Sequence, residues 1–165
     1  MNTKPTTSSA LRAAILATAA AHADLQALVA IRNDADGVAR FNALTDYAKV
    51  VPTPVNVDNV LDKEGAAAGG VLIQKLQVYA TTYQAQPGPL YDYWAAIKRI
   101  AGKFGLMAGS AEGSVDLGAD WARDTVQAMA DNGVITQAEA ASLLSLAVVA
   151  DPVSGAEYEA ALNLV

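Results

Sequence analysis

The chain has 165 residues, a formal net charge of −6, and a composition that is 53% hydrophobic yet only 6% aromatic and 17% charged. That acidic balance lacks the basic footprint of a nucleic-acid binder, and no stretch reaches the ~18 uncharged apolar residues that a membrane span needs. One histidine, no cysteine and 36 alanines leave little for catalysis and much for helices, because alanine combines high helix propensity with an inert side chain.

An alanine-rich core gains less per helix than a leucine-rich one, at ~25 cal/mol per Å² of apolar surface removed from water. It compensates by letting helix backbones approach to about 8 Å. The expected class is therefore all-α: a compact bundle of about six to eight short helices, one extended Pro-containing connector and a C-terminal helical hairpin.

In chain order, residues 1–8 read as a flexible tail. The apolar run Ala10–Ala21 is interrupted by Arg12 and passes into an amphipathic pattern, so it reads as a helix and not as a signal peptide. Leu11, Ile15, Thr18, His22, Leu25 and Val29 share one helical stripe whose middle is polar, which predicts two helices with a break near His22. Ser8 or Ser9 is expected to cap the first, Asp24 the second, and Asp34 or Asp36 the next, which carries Val38, Phe41, Leu44 and Tyr47.

Val50–Val57, with Pro52 and Pro54, is the only segment that reads as extended, as a connector or edge strand. Asp58 is expected to cap a short helix through Lys63. Gly65, Gly69 and Gly70 then break the chain or admit a close helix crossing. A long helix is expected from Val71 to about Tyr83, burying Leu72, Leu76, Tyr79 and Tyr83, with its stop at Gln86-Pro87-Gly88-Pro89. The next, Leu90–Phe104, is rich in aromatic residues and starts with Pro89 in its first turn.

The glycine-rich stretch 105–118 reads as a loop. A helix at about 119–131 should stop at Asn132-Gly133, and Thr136 with Glu139 forms a capping box for the next, expected to run to Asp151-Pro152. Ser154 with Glu157 opens a short terminal helix in the same way. The organisation read from these signals is a tail (1–8), a helical main body (9–104), a loop (105–118) and a C-terminal hairpin with a capping helix (119–165).

Each candidate for chemistry has a simpler structural explanation. Asn132–Glu139 looks like the back half of an EF-hand loop, but the first and third ligand positions fall on Ala128 and Ala130, and the capping box accounts for Glu139. His22 has Thr18 one turn away and no orienting acid on its face, so no nucleophilic triad is assembled. Asp116, Asp120 and Asp124 lie four apart near one helix start, where the helix dipole welcomes carboxylates, instead of flanking a cleft. Lys98, Arg99 and Lys103 read as a solvated helix face. No catalytic, metal-binding or cofactor-binding residue is assigned.

The aromatic residues Tyr83, Tyr91, Tyr93 and Trp94 are the candidate interface, because aromatic side chains are enriched in interface cores. Tyr91 and Tyr93 cannot both face where Trp94 does, so at least one lies at the surface.

Two regions carry a family resemblance. They are Leu11-Arg12-Ala13-Ala14-Ile15-Leu16-Ala17 with Asp24-Leu25-Gln26-Ala27-Leu28-Val29, and the C-terminal runs Val115-Asp116-Leu117-Gly118, Val126-Gln127-Ala128-Met129, Gly133–Ala140 and Asp151-Pro152-Val153-Ser154. They resemble the beginnings and endings of small Ala-rich proteins encoded by tailed bacteriophages among virion morphogenesis genes, often near tail genes. The resemblance implies a non-enzymatic virion or assembly protein, with other phage structural proteins and copies of itself as partners. It also implies a place in the virion after assembly in the host cytoplasm, while the acidic charge and the lack of a long apolar run argue for neither a nucleic-acid nor a membrane partner. The alternative is a small acidic regulatory or inhibitory module that occupies a basic surface of a host protein.

Overall fold

The computed structural model describes residues 2–82, 90–111 and 113–164, with Thr82 as backbone alone. Among the described residues the elements are, in order, α1 (Ser8–Ala21), α2 (Ala23–Ala30), α3 (Asp34–Thr45), β1 (Ala48–Val50), β2 (Pro54–Val55), α4 (Val57–Glu64) and α5 (Ala66–Thr82). They continue with α6 (Trp94–Lys103), β3 (Val115–Asp116), α7 (Asp120–Asp131), α8 (Gln137–Ser145), β4 (Val148–Ala150) and α9 (Gly155–Leu162). The protein is mostly helical: of the described residues, 63% are in helices and 8% in strands or bridges. The expected helical class holds in its coarser form, a mostly helical fold. Among the described residues it is supplemented by four short strands, paired β1 with β4 and β2 with β3, and the helices number nine where about six to eight were expected.

The chain divides into two units, residues 1–49 with 149–165 and residues 50–148. The order is nested, so the expected segments 9–104 and 119–165 each contribute to both. Helix α9, expected to cap the α7–α8 hairpin, belongs to the first unit, where it packs on α1 and α3.

In the first unit the predicted break falls at His22, whose extended backbone (φ −136°) ends α1 and begins α2. The caps differ from expectation by a residue or two. Thr7 caps α1, His22 occupies the cap position of α2 with Asp24 in the first turn, and Asn33 caps α3 through its side-chain oxygen and Asp36 N–H. Asparagine and threonine satisfy the same orphan donors as serine or aspartate, so composition alone does not rank neighbours. The core comprises Leu11, Ile15, Ala19, Leu25, Phe41, Val153, Tyr158 and Ala161. Phe41 and Tyr158 meet at 6.1 Å between ring centroids. Gly37 leaves room for the tyrosine, since a Cβ there would lie 2.8 Å from the Tyr158 oxygen.

Residues 2–4 are tied to this unit. Asn2 Nδ2 donates to the Thr45 carbonyl at 3.2 Å, and Lys4 Nζ lies 3.0 Å from Glu157 and 3.6 Å from Asp151. Lys49 reaches Asp151 at 3.0 Å, and Asn42 holds Val153 through two backbone bonds of 2.8 Å.

In the second unit, Val50–Val57 supplies β2, whose partner β3 lies in the stretch expected to be a loop. Two residues are too few for an alternating pattern to announce a strand. Pro54 faces Asp116 and Val55 faces Val115. The Asp116 carboxylate fastens the pair, accepting from Thr53 N–H at 2.7 Å and Gly118 N–H at 2.9 Å. At Gly118 the backbones approach so closely that a Cβ would collide with the Val51 carbonyl and lie 2.8 Å from Pro52 Cα.

Helix α4 is capped not by Asp58 but by a reciprocal Asn56–Asn59 box. Gly65, at φ +80°, turns the chain out of it as only glycine does without strain. Helix α5 starts at Ala66, five residues before the expected Val71, because Gly69 and Gly70 continue the helix. Gly69 is where α4 crosses, since a Cβ there would lie 3.0–3.1 Å from Leu61. Its predicted end at Tyr83 and the Gln86–Pro89 stop lie outside the described residues.

Helix α6 begins at Trp94, preceded by turns at 90–93. Helix α7 ends at Asn132-Gly133 (φ +72°) and α8 opens with the predicted Thr136–Glu139 box. Helix α8 stops at Ser145 and β4 follows, where the helix had been expected to reach Asp151. Val148 and Val149 favour the extended backbone they adopt. The core of this unit includes Val60, Leu72, Leu76, Ala80, Ile97, Ile100, Phe104, Leu117, Met129 and Leu143.

Two predictions follow from this packing. Gly118→Ala should destabilise the protein by several kcal/mol through backbone overlap, whereas Gly102→Ala, with open space around its Cβ position inside α6, should stabilise it by about 0.5–1 kcal/mol; thermal melts of both variants read the contrast. The second concerns acid. The Ser154 N–H and the Lys4 ammonium hold Glu157 down to about 2 from an ordinary 4.5. A depressed carboxyl stabilises the fold fully above the unfolded value and loses that contribution as pH falls from ~4.5 through ~2. Glu157→Gln should therefore lower the melting temperature near neutrality and flatten its fall across that acid window, as measured by circular dichroism.

Candidate functional site

Helix α5 carries apolar residues on two faces. One face buries Leu72, Leu76 and Ala80 in the core, with Gly69 against α4. The other presents Ala67, Val71, Gln74, Val78 and Thr81, all exposed, with Val71 at 51% and Val78 at 50%. A surface helix normally keeps its solvent face polar. Here valines occupy it, beside a groove of about 360 Å³ lined by Val71, Gln74, Lys75, Val78, Tyr79 and Val134.

The edge of this groove is set by an ion pair. Lys75 Nζ lies 2.7 Å from Glu139 Oε1 and 2.9 Å from Oε2. The second oxygen also accepts the Thr136 N–H at 2.7 Å, and the Thr136 hydroxyl accepts the Glu139 N–H at 3.1 Å. Burial pushes the Glu139 carboxyl up, and the Lys75 ammonium with the Thr136 bonds outweighs it, so the group titrates below its ordinary value. The capping box of α8 thus anchors α5 through Lys75, and Val134 in the preceding turn completes the groove.

The four aromatic residues expected at an interface are not equivalent. Tyr91 is 52% exposed in the turn before α6. Tyr93 is half-buried against the core of its unit. Trp94 is half-buried, with the Lys98 ammonium 4.3 Å from its ring centroid. Tyr83 lies outside the described residues. Tyr79 and Trp121 pack on the same core as Tyr93. The Arg99 guanidinium stands 4.5 Å over Trp121, so two cations of the expected solvated face cover rings.

The other singled-out residues hold local structure. Thr18 donates its hydroxyl to the Ala14 carbonyl at 2.8 Å, and His22 forms the helix junction. Asp116 sits in β3 fastening Thr53 and Gly118, and Asp120 opens α7. Asp24 lies 2.6 Å from Arg40. Among the described residues no group of three or more His, Cys, Asp or Glu is arranged to hold a metal ion. No helix among them is long and apolar enough to cross a membrane.

Sequence reasoning passed over Val71, Gln74 and Val78, because the stripe through Leu72, Leu76 and Tyr79 accounted for α5 as an amphipathic helix. The signal was present: Ala67, Val71, Gln74, Val78 and Thr81 recur at spacings of four and three. No protein-family model, curated protein or solved structure matches the chain.

If the ion pair and cap position α5 together, Glu139→Gln should cost about 1–2 kcal/mol by weakening both, whereas Lys75→Met, which keeps the cap, should cost less than about 1 kcal/mol. Urea unfolding of the two variants gives the comparison.

Proposed function

We propose that this chain is a non-enzymatic bacteriophage virion-associated or assembly protein that acts through protein–protein contacts, in a symmetric oligomer of the tail or head–tail region. The observation that carries the reading is the exposed valine pair Val71 and Val78 on a 17-residue helix whose other face is already committed to the core. An apolar strip at helical spacing is how a helical protein offers a face to another chain. Tyr91, half exposed in the same unit, adds a rigid amphipathic ring of the kind enriched in interfaces.

The setting comes from the sequence resemblance of the first and last parts of the chain to tailed-phage proteins. On this reading its partners are copies of itself and other phage structural proteins, and its place is the virion. Mass spectrometry of purified particles and of assembly intermediates should recover the chain in a fixed ratio to known structural proteins. Absence from both would overturn the reading. Stoichiometric recovery of one basic host protein in a pull-down would favour the regulatory alternative, which the net charge of −6 supports.

A further inference from the structure

We infer that the exposed stripe of α5 is a self-association seam, and that its occupant is the α5 helix of a second copy of this chain. The inference rests on the reading of the protein as one that acts by contact, and it names the partner of the face that reading relies on. The first argument is spacing. Ala67, Val71, Gln74, Val78 and Thr81 follow the four–three alternation of a two-helix seam, and every one of them is exposed.

The second argument is charge. Two copies that each carry −6 repel over most of their surfaces. From Gly65 to Tyr91, however, the sequence has no aspartate or glutamate, the longest such run in the chain. Its single cation, Lys75, is neutralised by Glu139 at 2.7 Å. Along α5 itself, therefore, an identical acidic chain meets no carboxylate of the helix and no unneutralised cation.

The third argument is self-complementarity. A two-fold interface brings the same patch from both chains together. Gln74, the polar residue at the middle of the seam, has both a donor and an acceptor on its side-chain amide, so it can pair with its own symmetry mate. A lone amide between the two seam valines favours a single register. Ala67 and Thr81 at the ends are small enough to allow close helix approach.

The test is light scattering on the full chain after size exclusion, with Val71→Glu and Val78→Glu singly and together. The wild type should show twice the 17.0 kDa chain mass at high concentration, and the double variant should revert to the single-chain mass. Unchanged helical circular dichroism would show that these exposed substitutions leave the fold intact. Gln74→Cys, in a chain without cysteine, should give a covalent dimer on mild oxidation. A wild type of single-chain mass overturns the inference, as does a folded double variant that keeps twice that mass. These outcomes are separate from particle composition: a monomer still found in virions would overturn the seam and leave the contact-protein reading standing.

Discussion

The close crossing of α4 and α5 at Gly69 fixes what the second unit presents to its surroundings. With no side chain at that position, the two helices approach until Leu61 fills the gap. That contact sets the rotation of α5 about its own axis. Leu72, Leu76 and Ala80 then turn inward, and the stripe containing Val71 and Val78 turns outward. The salt bridge from Lys75 to Glu139 secures the same rotation from the α8 side. The exposed valines thus follow from how the core is closed.

Helices and their start signals were the legible part of the sequence. The Thr136–Glu139 and Ser154–Glu157 boxes, the His22 break and the Asn132-Gly133 stop all stand where local chemistry places them. Local chemistry also explains the misplaced caps, because Thr7, Asn33 and Asn56 do the same work as the serines and aspartates beside them. The strands were less legible, since β2 and β3 depend on a tertiary contact. Asp116 fastens Thr53, more than sixty positions away, and no window of neighbouring residues contains that information. The nested division into units was hidden for the same reason. Glycine content drew attention to 105–118, whereas the chain leaves the first unit near Lys49 and returns near Val149.

The candidate surface shows a different limit. The stripe through Leu72 and Leu76 assigns α5 a buried face and leaves its second stripe, through Val71 and Val78, unread. Two stripes on one helix become separable only when burial is known. The aromatic residues illustrate the converse. They were conspicuous in the sequence because they are scarce, and the structure uses Tyr79, Tyr93 and Trp121 chiefly to fill space that alanines leave open. In an alanine-built protein, bulky residues are drawn toward the interior, and modest valines at the surface carry more information than rings.

The insertion of one unit into the other has a consequence for how such a chain can change. Val51 N–H donates to the Ala147 carbonyl at 2.9 Å, and Asp151 N–H donates to the Tyr47 carbonyl at 2.8 Å, so the outgoing and returning strands run side by side. The first unit keeps its own core of Phe41, Tyr158 and their neighbours, drawn from residues that precede and follow the second unit in sequence. A cassette bounded in this way can be exchanged, shortened or replaced by a tight hairpin while the first unit's packing is preserved.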